Sequence, residues 1–236
     1  MVRHPSLILH ALEGQPELAV LHTKLELSRA RDLYARLSER LESAQPGDET
    51  QYLRTAVRLF KEKICYKNAA LYALCRLFSP DIAVETGVHY GASSAFILQA
   101  LADNGKGHLY SIDLPNASYK LNGSSSTHSD LLPEGRTTGF VVPTDLRNRW
   151  TLILGNAKEE LPALAESLQF IDMFHHDSLH TYEHMIFEYQ TVWKKLRPGG
   201  LLTSDDVTWN SAFSDFCSAA QLRHFIVEEM GLAVIR

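Results

Sequence analysis

The sequence is short of cysteine, of long apolar runs and of positive charge, and each shortage closes off a class of function. Its three cysteines, Cys65, Cys75 and Cys217, form no CxxC pair in 236 residues. An odd, scattered set supports neither a disulfide framework nor a cysteine-ligated zinc site, and it fits a reducing compartment. No stretch approaches the roughly 18 apolar residues that a membrane span needs, and the opening MVRHPSLILHALEG has no clear signal-peptide cleavage region. The expected location is the cytoplasm. A formal net charge of −5 without any basic run exerts no long-range pull on nucleic acid or anionic lipid, so neither is an expected partner. What is present, 45% hydrophobic and 22% charged residues, suits one core of ordinary size with an appendage.

Two textures divide the chain. In residues 1–80, Leu21, Leu25, Leu33, Leu37 and Leu41 fall on helical spacing among charges, predicting an amphipathic helix over 17–43; a second helix is expected over 49–78 after AQPGD. Packing or homo-oligomer formation is the expected use of this helical appendage. From residue 81 to 236 short buried-strand patterns alternate with helices: IAVET (82–86), HLYSID (108–113), WTLIL (150–154), FIDMFHH (170–176) and GLLTSD (200–205). That rhythm implies parallel strands covered by helices on both faces, a Rossmann-like, doubly wound α/β domain. The last runs, around Gly231, are joined by too few residues for a parallel crossover and should form an antiparallel hairpin. Residues 114–149, rich in Ser, Pro, Gly, Thr and Asn, are too long for a connector, and a substrate-covering loop is favoured over a mobile insertion.

In an open parallel sheet, ligands bind beyond the carboxyl ends of the strands. After the first strand comes Glu85-Thr-Gly87-Val-His-Tyr-Gly91-Ala-Ser93-Ser94, whose Gly87 and Gly91 let backbone approach a ligand ahead of a helix N-terminus. The spacing is not the G-x-G-x-x-G of dinucleotide binders, which disfavours a nicotinamide dehydrogenase. The second strand ends in Asp113, an acid suited to ribose hydroxyls, and the third runs into Gly155-Asn156-Ala157, small and polar enough for the edge of a purine. Each also has a plain structural reading as turn or cap; their order on successive strand ends is what favours a ligand.

The fourth and fifth strands end in His175-His176-Asp177-Ser-Leu-His180 and Asp205-Asp206. Adjacent parallel strand ends bring these acids to one mouth, where repulsion is costly unless a proton or cation is shared; a hard divalent ion with oxygen ligands is the natural candidate. Alternation along the strand should turn one of His175 and His176 into the packed face and the other toward solvent or the site. Tyr182, Trp209 and Tyr119 either wall a pocket or simply pack. A rival reading pairs His180 with His184 at i, i+4 as transition-metal ligands of a hydrolase or oxygenase; another keeps only a non-catalytic nucleotide-binding module.

The segments AVETGVHYGASSAFILQAL, LYSIDLP, RWTLILGNAKEELPAL, FIDMFHHDSLHTYEH and LRPGGLLTSDDV resemble the successive motifs of class I S-adenosylmethionine-dependent methyltransferases. The likeness is closest to the bacterial macrocin-type O-methyltransferases and more distant to catechol O-methyltransferase. It covers residues 81–207 and barely touches the N-terminal helices. It implies a seven-stranded sheet whose last strand is antiparallel, and methylation of a small-molecule hydroxyl such as a sugar, phenol or natural product. By that resemblance Glu85, Gly87 and Ser93 face the methionine part of the cofactor, Asp113 the ribose, and Asn156 with Ala157 the adenine. It likewise implies magnesium on Asp177, Asp205 and Asp206, with His180 in the place of a general base.

Overall fold

The structure, a computed structural model, describes residues 65–115, 132, 135–227 and 229–235. The expected helix over 17–43, the first part of the one over 49–78, Tyr119 and half of the polar segment lie outside them. The described elements are α1 (Cys65–Phe78), β1 (Ile82–Thr86), α2 (Ala92–Asp103), β2 (His108–Asp113), a 3-10 helix (Thr144–Arg149), β3 (Trp150–Leu154), α3 (Ala157–Ser167), β4 (Ile171–His176), α4 (Tyr182–Trp193), β5 (Leu196–Ser204), α5 (Ala212–Ala219), β6 (His224–Val227) and β7 (Met230–Val234).

Seven strands form one sheet in the order β3-β2-β1-β4-β5-β7-β6. β1 to β5 run parallel, and β7 is antiparallel to both β5 and β6. The hairpin expected around Gly231 is therefore present, and so is the doubly wound architecture. The chain leaves one edge at β3 and re-enters beside β1 as β4, so the order reverses between β1 and β4. A crevice opens at the carboxyl ends of strands at such a reversal.

Strand alternation sends side chains into two cores. Ala83, Leu109, Met173, Leu201 and Leu232 join α1, α2 and Val141, Val142 and Leu146 on one face. Val84, Ile112, Phe174, Leu202 and Ala233 join α3, α4 and α5 on the other. α1 thus shares the core of the residues that follow it, with Leu71, Tyr72, Leu74 and Cys75 all buried. The helices follow local chemistry. α4 starts where the Thr181 side chain accepts from the backbone N–H of His184, and it buries Met185, Tyr189 and Val192 at helical spacing. α5, absent from the strand–helix pattern read in the sequence, starts beyond Asn210, whose side-chain oxygen accepts from the Ala212 N–H at 2.9 Å. Among the described residues no helix is long and apolar enough to cross a membrane.

Candidate active site

The site is built outward from the β1–β4 reversal. The parallel ladder continues one residue past the strands: Asp177 N donates to the Thr86 carbonyl at 2.8 Å, and Asp205 N to the His176 carbonyl at 2.8 Å. These bonds set the glycine turn, Asp177 and Asp205 in a row along one edge. Gly87 has φ +85, and a Cβ there would overlap the backbone carbonyl of Asp177. Its smallness serves the close approach of the β4 loop. Gly91, φ +93, packs against Gly139 and Val142 in the same way, while Gly139 N and Val141 N donate to the carbonyls of His89 and Tyr90 at 2.8 and 3.1 Å. The C-terminal end of the polar segment is thus pinned onto the glycine turn.

The cofactor candidates fall into two kinds. Glu85 is fully buried and accepts from Ser93 at 2.5 Å, Ser94 at 2.6 Å and Ser111 at 2.8 Å, so it and Ser93 are engaged below the turn. Burial pushes the Glu85 carboxyl up to about 7, against the lowering effect of those three hydroxyls. Asp113 sits at the tip of β2 and accepts from His89 N at 2.8 Å and Leu114 N at 2.9 Å. A carboxylate at the tip of the second strand is suited to the hydroxyls of a ribose. Asn156 caps α3 by accepting from Lys158 N at 3.0 Å, with Ala157 beside it. The N-terminus of α2 has Gly91 as its cap residue and no side-chain cap, which leaves first-turn N–H groups to meet a carboxylate.

The β4–β5 side is different in charge and in partners. His175 and His176 are both buried, against the expectation that alternation turns one outward: β4 is a central strand covered on both faces. His175 bonds Thr203 at 3.0 Å, and burial lowers its ring to about 4. His176 bonds Glu188 at 2.6 Å through Nδ1. Glu188, fully buried, also accepts from Thr86 at 2.6 Å, Ser178 at 2.8 Å and His184 at 2.9 Å. Burial opposes its charge, but the donors win and hold its carboxyl below the usual range. With four acceptor bonds on one carboxylate, His176 Nδ1 and His184 Nε2 carry the protons and donate.

His184 is thereby spent inside the core, and His180 lies in the loop before α4. The i, i+4 metal pair does not share one helix face. His180 instead stands at the mouth, its Nε2 3.7 Å from Asp177 and 4.0 Å from Asp206, with no hydrogen-bond partner among the described residues. Its ring lies 5.1 Å from that of His176 and 5.4 Å from that of Trp209. Burial first and the nearby His176 second lower it to about 4, so it is neutral near pH 7. Trp209, 65% exposed, and Leu179, 56% exposed, form an apolar rim beside it.

The three acids do converge. Desolvation first, then the charges of Asp205 and Glu85, raise the Asp177 carboxyl, and desolvation and Asp205 raise that of Asp206. A lysine not singled out in the sequence joins them: Lys67 of α1 bonds Asp205 and lies 3.3 Å from Asp206 and 3.4 Å from Glu229. Burial works against its charge, but Asp205, Asp206 and Glu229 together hold the ammonium above its ordinary value. Its only flag in the sequence is being the sole charge in CYKNAALYALC. Among the described residues no three His, Cys, Asp or Glu side chains are grouped as a metal ion requires.

A sequence model described as a methyltransferase domain matches residues 84–207, more than half of the chain and the strand ends from β1 to β5. The chain belongs to this methyltransferase family. No curated protein matches the sequence. Solved structures with the same fold include the O-methyltransferase TomG from Streptomyces achromogenes, involved in tomaymycin synthesis and in complex with SAM. It is 17% identical with a TM-score of 0.52, over 72% of this methyltransferase and 79% of TomG. The SAH-bound methyltransferase PaMTH1 of Podospora anserina is 13% identical with a TM-score of 0.54, over 87% and 88% of the two chains. The calicheamicin methyltransferase CalS11 is 16% identical with a TM-score of 0.54, over 86% and 91%. At such identities these likenesses establish the fold of the methyltransferase, and its matched segment carries the family.

Proposed function

We propose that this methyltransferase moves the methyl group of S-adenosylmethionine to a hydroxyl oxygen of a small molecule, with His180 taking the hydroxyl proton. The observation that carries the reading is His180 itself: a neutral imidazole beyond the ends of β4 and β5 whose Nε2 has no hydrogen-bond partner among the described residues. The similar structures named as O-methyltransferase or as bound to SAM and SAH support the choice of cofactor and atom.

The residues fit the cofactor. First-turn amides of α2 suit its carboxylate, Asp113 its ribose, and the Asn156-Ala157 turn its adenine. When bound, S-adenosylmethionine supplies a methyl on a positively charged sulfur, an electrophile that an oxygen attacks as the carbon–sulfur bond breaks. The chain's own work is to place the acceptor and accept the proton. Trp209 and Leu179 offer apolar surface for an acceptor, and Asp177 beside His180 favours the imidazolium that forms. A nearby general base contributes about a hundredfold or more in rate.

The same acids fit a divalent ion poorly. Asp205 and Asp206 already face the Lys67 ammonium, so no step is routed through a metal. The reading is tested by calorimetry: S-adenosylhomocysteine should bind to the full chain and NAD should give no heat. Absence of S-adenosylhomocysteine binding would remove the cofactor assignment.

A further inference from the structure

We infer that Lys67 is the resident cation of the acceptor mouth, paired with Asp205 and Asp206 in the place where a divalent metal ion would otherwise sit. An ammonium has three N–H donors, and Lys67 faces three carboxylates: it bonds Asp205 Oδ1, lies 3.3 Å from Asp206 Oδ1 and 3.4 Å from Glu229 Oε2. Two of its donors are engaged by Asp205 and Asp206. Asp205 Oδ1 is also committed to the backbone, accepting from Asp206 N at 2.9 Å. A magnesium or manganese ion needs about six oxygen ligands close to 2.1 Å. To gather them here it would have to expel a lysine whose side chain is only 17% exposed, and an ammonium expelled from a carboxylate cluster into a partly buried site loses most of its compensation.

The remaining acid does not rescue a metal site. Asp177 faces His180 at 3.7 Å, outside the reach of Lys67's ion pairs, and among the described residues the three acids do not group as ligands. The donor set is that of a buried ion pair.

The lysine also connects two parts of the molecule. It comes from α1, which precedes the segment matched by the family model, and it fixes Asp206 from one side while the other oxygen of Asp206 faces His180 at 4.0 Å. Lys67 is therefore a positioning residue. Through Asp206 it sets the charge next to the base without touching the acceptor itself. Asp206 has φ +50, a left-handed conformation unusual for Asp, and the bond from Lys67 to its Oδ1 helps to hold it.

This inference rests on the reading of the edge as an acceptor mouth, and its test separates the two. The full chain, Lys67→Met, Lys67→Arg and Lys67→Met/Asp205→Asn are titrated with Mn²⁺, free ion being counted by its electron paramagnetic resonance signal. Calorimetry with S-adenosylhomocysteine is run on the same samples. The wild type and Lys67→Arg should leave Mn²⁺ free. Lys67→Met should bind one ion per chain with about tenfold or greater gain in affinity, since two carboxylates are left without their counter-charge, and the Asp205→Asn change should abolish that gain. Lysine acting only as a structural tie would not create an ion site. Uptake of Mn²⁺ by the wild type that Asp205→Asn abolishes overturns the inference, as does a folded Lys67→Met that gains nothing. Should Lys67→Met not fold, the wild-type and Lys67→Arg titrations decide in the same terms. Failure of S-adenosylhomocysteine to bind would instead strike the cofactor reading and leave the Mn²⁺ result standing.

Discussion

The β1–β2 half and the β4–β5 half of the same sheet edge treat their acids in opposite ways. At β1 and β2, Glu85 accepts from three hydroxyls and Asp113 accepts from two backbone N–H groups. At β4 and β5, Asp205 and Asp206 are met by a lysine, while His180 keeps a ring nitrogen with no hydrogen-bond partner among the described residues. The first set of contacts holds a shape; the second leaves an imidazole nitrogen available for chemistry. The first half reads as a scaffold for a cofactor and the second as the place where a proton moves.

The comparison breaks most sharply at Glu188, a fully saturated acid lying beneath the second half. Glu188→Ala strands three buried donors and one half-buried one and should cost about 3–5 kcal/mol of stability, read from urea unfolding. A loss under 1 kcal/mol would show that the network does not support the β4 loop.

Glu85 sharpens the scaffold side through pH. Its folded pKa of about 7 lies above the ordinary 4.5, so between those values the folded state binds the proton more tightly than the unfolded chain. Its contribution is therefore present below about pH 4.5 and lost as pH rises toward 7, by up to about 3 kcal/mol. Wild-type stability relative to Glu85→Gln should fall across that window. A flat difference curve would mean that Glu85 is ionised at ordinary pH.

Asp113 lies where scaffold meets ligand. Asp113→Ala should weaken S-adenosylhomocysteine by about ten- to a hundredfold in calorimetry, the worth of hydrogen bonds to a charged group. Unchanged affinity would leave Asp113 as a clasp on the glycine turn alone. The smallest effect belongs to Trp209, whose exposure means that Trp209→Ala should change stability by less than about 0.5 kcal/mol while any change in turnover reports acceptor contact.

Much of the edge was legible because its chemistry follows buried strand patterns that local sequence betrays. IAVET led to the glycine turn, HLYSID to Asp113, FIDMFHH to Asp177 and GLLTSD to the acid pair. The hairpin was legible from the short connection before Gly231. What was not legible is tertiary. Nothing local ties Lys67 to Asp205, 138 residues away, or converts Glu188 from a helix-face acid into a hub for Thr86, Ser178, His176 and His184. Alternation also misjudged His175 and His176, because it says which side of the sheet a residue takes and not whether that side is covered.

The most direct test of the division of labour along this edge is isotope transfer. A metabolite extract is incubated with methyl-labelled S-adenosylmethionine and either wild-type protein or His180→Ala, and products are read by mass spectrometry. The account predicts a labelled methyl on a small-molecule oxygen with the wild type, about a hundredfold or more slower with His180→Ala, at equal S-adenosylhomocysteine affinity. Equal labelling by the two proteins, or none by a wild type that binds the cofactor, would contradict it.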